Sequence, residues 1–380
     1  MLDQGDRKAA ALDLPQDVAA ELAAICENPD QRPRSMAPSF YFDPRVLAAE
    51  ENSVFLSGWV CVGRWDEVKE PGDFFTTEIV GEPLIIARGA DGEVRALSNV
   101  CRHRGSKLVD GTGTTKRFSC PYHAWAYGLD GALVRAPLIE GDLSDCNLPV
   151  FATEEWMGWI FVNLDGSAQP LTELLADLDP YVRNYHPEEL QSYNPSTEGW
   201  GVNWKGLAEN FMEGYHLTPV HLKTLHPMTP TRLCEKVPGG GAWTVYKAHY
   251  NENFEGRTEV HPDMTPEECR ISMMFWVYPG LVVGLGPNTA TFMSLLPDGP
   301  DRVRVKWDNI YRPGMSEEGA KMRYDFAASF NAEDKARLED MQIGLHSRWA
   351  TGGPLAPADY EGTIWDFYQW IAHRLMGEAS

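Results

Sequence analysis

Between Trp59 and about Asp165 the chain alternates apolar and polar positions in short runs: WVCVGRW, DFFTTEIV, EPLIIAR, EVRALSNV and WIFVNLDG. A period of two, rich in β-branched and aromatic residues, marks half-buried strands. Asp91-Gly92 and Asp130-Gly131 fall between or within such runs and supply the positive φ of tight hairpins. The pattern predicts a small antiparallel β domain over 57–165. From Leu171 the period lengthens to that of helices (LTELLADLDPYVRNY), and strands return over 240–310 in WTVYKAHY, ISMMFWVYPGLVVGLG, TATFMSLLP and RVRVKWDNIY. The remainder is helical again, so 166–380 reads as a larger α+β domain with an antiparallel sheet. Residues 1–56 read as a helical segment packing on that larger domain, with one helix begun by Asp43 and Pro44.

The formal net charge of -22 argues against nucleic acid or an anionic membrane as partner, because both are held by clustered Lys and Arg. Seven cysteines, odd in number and irregularly spaced, do not form a secreted disulfide framework. The first thirty-five residues lack the basic-then-apolar order of a signal peptide, and no apolar run reaches membrane-spanning length. A cytoplasmic protein with reduced thiols is expected.

Two constellations carry chemistry. Cys101-Arg102-His103 and Cys120-Pro121-Tyr122-His123 each present one thiolate and one imidazole from a turn-rich loop. Such a set fits a structural zinc or a two-iron, two-sulfur cluster with one His-ligated iron. The mixing of one Cys and one His in each half favours the cluster, since zinc sites prefer paired cysteines. The second constellation lies in NWKGLAENFMEGYHLTPVH, Asn203 to His221. On a helix, Glu209, Glu213 and His216 would share one face. Pro219 would then break the helix and swing His221 back beside His216, giving two imidazoles and a carboxylate for a divalent metal.

NVCRHRGSKLVDG and SCPYHAWAYGLDG resemble the two loops of a Rieske domain. Together with the NWK…EN…E-x-Y-H-x₄-H segment, residues from about 39 to 375 resemble the catalytic (alpha) subunit of Rieske non-heme iron oxygenases. The resemblance implies a Rieske domain followed by a helix-grip-like α+β catalytic domain. It implies a 2Fe-2S cluster on Cys101, His103, Cys120 and His123, and a mononuclear Fe(II) on His216, His221 and a late carboxylate. In FNAEDKARLEDMQIG the family's acid-Asp step fits Glu333-Asp334, so Asp334 is expected over Glu339 and Asp340. It further implies that Glu213 bridges His123 of one subunit to His216 of the next. A homotrimer and a separate NAD(P)H-dependent reductase follow.

Most ring-hydroxylating members carry Asp where this chain has Glu213. Glu looks like the subgroup acting on carnitine, betaines and choline. Hydroxylation of such a substrate with O₂ leads to oxidative N-demethylation or C–N cleavage. An N-methylated cation needs aromatic faces, and Trp243, Tyr246, Tyr250 and Trp276 are the candidates. Aromatic-ring hydroxylation or O-demethylation is the alternative within enzymes. From other classes, a non-catalytic Rieske electron-transfer protein and a structural zinc protein remain open.

Overall fold

Two seven-stranded antiparallel sheets and a three-stranded one organise the residues described in this computed structural model, 13–377 apart from Gly256 and Thr258. The start of the predicted 1–56 segment and the last three residues lie outside that range.

The first sheet is built from β1 (Val60–Arg64), β2 (Asp73–Ile79), β3 (Glu82–Arg88), β4 (Val94–Ser98) and β5 (Thr112–Thr114). β6 (Phe118–Ser119), β7 (Ala126–Tyr127) and β8 (Leu133–Arg135) make the small sheet, and β9 (Val150–Trp156) and β10 (Trp159–Asn163) return to the first. Its order is β1-β10-β9-β4-β3-β2-β5. The β9–β10 turn passes through Met157 and Gly158, both at positive φ. A Cβ on Gly158 would stand 2.9 Å from the Arg64 guanidinium and 3.1 Å from Glu188 Cα, so glycine is needed for space as well as φ. Arg64, fully buried, donates to the carbonyls of Pro187 and Leu190 and so ties this sheet to the segment after it.

The second sheet runs β11 (Ser196–Trp200), then β12 (Cys234–Lys236), β13 (Trp243–His249), β14 (Ile271–Val277), β15 (Leu281–Leu285), β16 (Thr289–Pro297) and β17 (Val303–Tyr311), in the order β11-β17-β16-β15-β14-β13-β12. One face, with Val245, Phe275 and Val283, packs on Trp159 of β10. The other, with Tyr246, Trp276 and Met293, packs on helices. These helices are α1 (Gln16–Glu27), α2 (Pro44–Glu50), α5 (Trp204–Phe211), α7 (Glu317–Leu345) and α8 (Ala358–Met376); α3 (Leu171–Leu174), α4 (Asp179–Val182) and α6 (Leu217–Val220) are single turns. α2 begins as expected, with Asp43 accepting from the Arg45 N–H at 2.9 Å. The fold is α+β with antiparallel sheets, as the hydropathy pattern predicts.

α5 is fixed from beneath. Lys205 Nζ lies 2.5 Å from Glu50 Oε1, both fully buried, and Trp204 Nε1 donates to Glu50 Oε2. One turn on, Glu209 accepts from Tyr41 Oη (3.0 Å) and Tyr368 Oη (3.3 Å), inside the helix–helix core rather than beside Glu213. Burial pushes its carboxyl up to about 8, against the opposing tyrosine hydrogen bonds and the Lys205 charge. An unfolded glutamate sits at 4.5. The folded state therefore holds the extra proton between the two values, and this stabilisation is fully present below the lower one and lost as pH rises through the upper. A melting-temperature series from about pH 5 to about pH 9 is expected to fall towards the alkaline end, and to fall less in Glu209→Gln. Parallel curves for the two proteins would remove Glu209 as the cause.

Candidate functional site

The helix expected to carry both Glu213 and His216 does not form. α5 stops at Phe211, because the chain turns away so that the Gly214 N–H can donate to the Tyr360 carbonyl on α8 (2.9 Å). A Cβ at Gly214 would fall 2.3 Å from Cys234 Sγ, so only glycine makes this approach. Glu213 then starts the next turn: its Oε2 accepts from the backbone N–H groups of Tyr215 and His216. Pro219 lies in the first turn of α6, where a missing N–H costs nothing. His216 precedes that turn and His221 follows it, so four intervening residues bring the two rings together with centroids 5.1 Å apart. The expected convergence holds; the element producing it differs.

Asp334, on α7, completes the group. Ligand atoms of His216, His221 and Asp334 all lie within 4.8 Å of one another. Asp334 Oδ1 is 3.0 Å from His221 Nε2 and 3.6 Å from His216 Nε2. Each imidazole has a carboxylate on its outer nitrogen: Glu213 Oε1 is 2.5 Å from His216 Nδ1, and Glu333 Oε2 is 2.7 Å from His221 Nδ1. With the ring protons held there, both Nε2 atoms turn lone pairs inward. His221 Nε2 and Asp334 Oδ1 are buried without a hydrogen-bond partner. Their 3.0 Å separation is then a meeting of two acceptors rather than an ion pair, and a cation between them satisfies both. Residues and geometry fit a mononuclear iron with two imidazoles and one carboxylate.

Against the effect of burial, hydrogen bonds from His221 and Thr224 hold Glu333 below its ordinary carboxylate value. Glu333→Ala is expected to weaken iron retention by about 10–100-fold, the usual cost of losing a carboxylate behind a ligating histidine. A chelator-competition titration measures it, and wild-type retention would remove Glu333 from this role. Glu339 accepts from the Gly201 N–H and Asp340 faces Arg337, so neither joins the group.

The two β-domain loops present Cys101 and Cys120 buried and His123 exposed. The His103 and His123 ring centroids are 4.8 Å apart, and Trp125 packs beneath with its ring parallel to His103. His103 Nδ1 is buried without a partner. Although burial opposes it, the backbone N–H groups of Tyr122 and His123 hold the Cys120 thiol below its ordinary value. Among the described residues, no three of these four ligand atoms fall within the 4.8 Å that would suit one ion. The space between them suits a cluster with two metals and bridging sulfides.

Beside the His216–His221–Asp334 group opens a cavity of about 920 Å³, its mouth included. Tyr246 and Tyr250 line it, together with Phe211, Phe326 and Phe330. Trp243 and Trp276, expected there, do not. Trp243 has the opposite strand parity to Tyr246 and packs in the core on the far face. Trp276 is on the correct face but stacks on Phe367 of α8, centroids 4.2 Å apart, away from the opening. His226 bonds Thr218 and His249 pairs with Glu235, outside the lining.

Sequence reasoning missed two lining residues, Arg257 and Arg323. Arg257 touches Met228 Sδ (3.4 Å) and the face of Phe254. Burial and the neighbouring Arg257 charge both push the Arg323 guanidinium down. Among the described residues, neither has a carboxylate within ion-pair distance. Arg257 sits in an aperiodic loop that carries no signal. Arg323 precedes Asp334 by eleven residues, close to three whole helical turns, and that spacing placed both on one face of α7.

A family model described as the ring hydroxylating alpha subunit (catalytic domain) matches residues 182–377, and one described as the Rieske [2Fe-2S] domain matches 58–151. The chain is 34% identical to the glycine betaine monooxygenase oxygenase subunit of Chromohalobacter salexigens, covering 97% of this chain and 92% of that one. It is 29% identical to the carnitine monooxygenase oxygenase subunit of Escherichia coli K12, over 89% and 91% of the two chains. Among solved structures, the quaternary ammonium Rieske monooxygenase CntA superposes with a TM-score of 0.80 at 23% identity, over 95% of this chain and 98% of that one, which speaks for the fold.

Proposed function

The chain belongs to the ring-hydroxylating alpha subunits of Rieske oxygenases, and from that premise we propose that it oxidises a quaternary ammonium compound bearing a carboxylate, such as a betaine or carnitine. Members of this family are oxygenases with a Rieske 2Fe-2S cluster and a mononuclear iron, which excludes the electron-carrier and structural-zinc alternatives. We assign the cluster to Cys101, His103, Cys120 and His123 within 57–165, and the iron to His216, His221 and Asp334 within 166–380. When bound, the cluster relays single electrons and the mononuclear iron activates dioxygen for insertion into a C–H bond.

One observation carries the substrate class: two guanidiniums without carboxylate partners in a cavity that also presents an aromatic and apolar lining beside the His216–His221–Asp334 group. Arg257 and Arg323 attract an anionic end and repel a cationic one. The ammonium end is thereby directed to the aromatic lining. Hydroxylation of an N-methyl group gives a hemiaminal that releases formaldehyde; hydroxylation at the carbon next to nitrogen releases trimethylamine. Choline has no anion for the arginines, and an aromatic hydrocarbon has neither charge.

Glu213 fills both lone pairs of Oε2 with the two backbone N–H groups, while Oε1 keeps His216 in register through one lone pair and retains the other. We assign that second lone pair to His123 of another copy of this chain, in a head-to-tail homotrimer served by a separate NAD(P)H-dependent reductase. A cytoplasmic location, where reduced pyridine nucleotide is at hand, suits cysteines that form no disulfide among the described residues.

The test is reductase-supported O₂ uptake over a panel of betaines, carnitine, choline and aromatic acids, with formaldehyde and trimethylamine measured. Uptake coupled to product only for the zwitterions is expected. Choline turning over as efficiently as the betaines would overturn the carboxylate assignment.

A further inference from the structure

The floor of the cavity is one row of side chains running across the second sheet. Tyr246, Met274, Gly284, Thr291 and Asn309 pair in turn from β13 to β17, and all five line the opening. Their shared register puts them on one face. At the β16–β17 end of the row stand two uncharged polar groups, Thr291 and Asn309, only 7% and 5% exposed.

Asn309 Nδ2 donates to Thr291 Oγ1 at 2.9 Å, while Asn309 Oδ1 is buried without a hydrogen-bond partner among the described residues. Buried amide oxygens are seldom left in that state. Thr291 Oγ1 accepts from Asn309 through a lone pair, which leaves its own O–H to donate. The pair therefore turns one acceptor and one donor to the cavity. Turned over, the same amide would accept from Thr291 and offer an N–H beside a Thr291 lone pair, again one donor and one acceptor. Neither end of a betaine meets both: a carboxylate only accepts, and a quaternary ammonium does neither. A hydroxyl gives one hydrogen bond and takes another.

Other polar groups of the lining do not make this demand. Tyr250 Oη and Ser272 Oγ satisfy each other at 2.9 Å. Thr229 Oγ1 is also buried without a partner, but a freely rotating hydroxyl fixes no direction, whereas the Asn309 amide is held by Thr291.

The pair also has a place relative to the arginines. Asn309 lies between Trp307 and Tyr311 on β17, and both are held to Tyr324 of α7. Trp307 stacks on Tyr324 with centroids 4.8 Å apart, and Tyr193 packs between Tyr311 and Tyr324. Arg323 precedes Tyr324, so Asn309 sits under the turn that presents Arg323.

We propose, on the premise of a zwitterion anchored by Arg257 and Arg323, that Asn309 and Thr291 receive a hydroxyl borne by the substrate's carbon chain near its carboxylate. The preferred substrate is then a hydroxylated betaine of the carnitine kind, and Asn309 is a specificity-determining residue. With ammonium, carboxylate and hydroxyl each held at a separate place, the cavity distinguishes the two enantiomers.

Calorimetric titration of the oxidised, iron-loaded holoenzyme without reductase compares L-carnitine, D-carnitine and the 3-deoxy analogue of carnitine. One enantiomer is expected to bind at least about tenfold more tightly than the deoxy compound, the worth of one to two hydrogen bonds, and more tightly than its mirror image. Asn309→Leu and the more conservative Thr291→Val are each expected to bring the three Kd values to within about threefold. The Kd of the deoxy compound and the melting temperature should stay near wild type in Thr291→Val. Equal wild-type Kd values for carnitine and its deoxy analogue, or variants that weaken both alike, would overturn the hydroxyl assignment and leave the zwitterion standing. Binding of none of the three compounds would remove the zwitterion, and the hydroxyl site with it.

Discussion

Asp334→Ala is expected to remove the mononuclear iron and abolish detectable product formation, while the visible absorbance of the cluster stays at its wild-type level. The loss follows from what remains. His216 Nε2 and His221 Nε2 would keep their inward lone pairs, but the carboxylate that draws a cation between them would be gone. Removing a supporting carboxylate already costs about 10–100-fold in affinity, and removing a ligand exceeds that. The fold is not expected to suffer, because Asp334 Oδ1 has no hydrogen-bond partner among the described residues and α7 is anchored elsewhere through Gln342 and Glu339. Iron analysis beside an absorbance spectrum checks the prediction. Asp334→Ala enzyme that retained its full iron would transfer the role to another carboxylate.

Arg257→Ala is expected to raise KM for a betaine by roughly 30-fold or more, from about 2 kcal/mol for a desolvated charge pair truncated on one side. The kcat for bound substrate should move less, because the anion site contributes binding far from the reacting carbon. Arg323→Ala should act in the same direction. The two losses are not expected to add, since two guanidiniums gripping one carboxylate form a coupled unit. Relief of mutual repulsion would even favour the remaining arginine, given how Arg257 pushes Arg323 down. A substrate without a carboxylate supplies the control: choline should be nearly indifferent to Arg257→Ala. Equal KM changes for choline and a betaine would show a packing role instead.

The β domain was legible because its strand signals are local: β2, β3 and β10 are short runs of apolar, β-branched and aromatic residues bounded by turns, and β10 is buried at every position. β9 escaped notice because only Trp156 of Val150–Trp156 is buried, which leaves no continuous apolar face to read. The Cys101–His103 and Cys120–His123 loops were equally plain, since their ligands are neighbours in sequence.

The iron triad was only half legible. The positions of Glu213, His216 and His221 pointed to convergence, but the path depends on a hydrogen bond from Gly214 to Tyr360, 146 residues away and invisible in spacing. Aromatic pocket residues were half right for a similar reason. Strand parity separates Trp243 from Tyr246, yet what covers Trp276 is set by α8, which no local pattern reveals. Arg257 lies in an irregular connection, and its role emerges only when Arg323 appears opposite without an acidic partner.

Iron and acid-labile sulfide, counted per chain in the wild type and in the His216→Ala/His221→Ala double variant, test the metal assignment most directly. The wild type is expected to carry one iron more than its sulfide, and the variant to carry equal iron and sulfide with its cluster spectrum intact. An excess iron persisting in the variant would contradict the assignment of the mononuclear site to these two histidines.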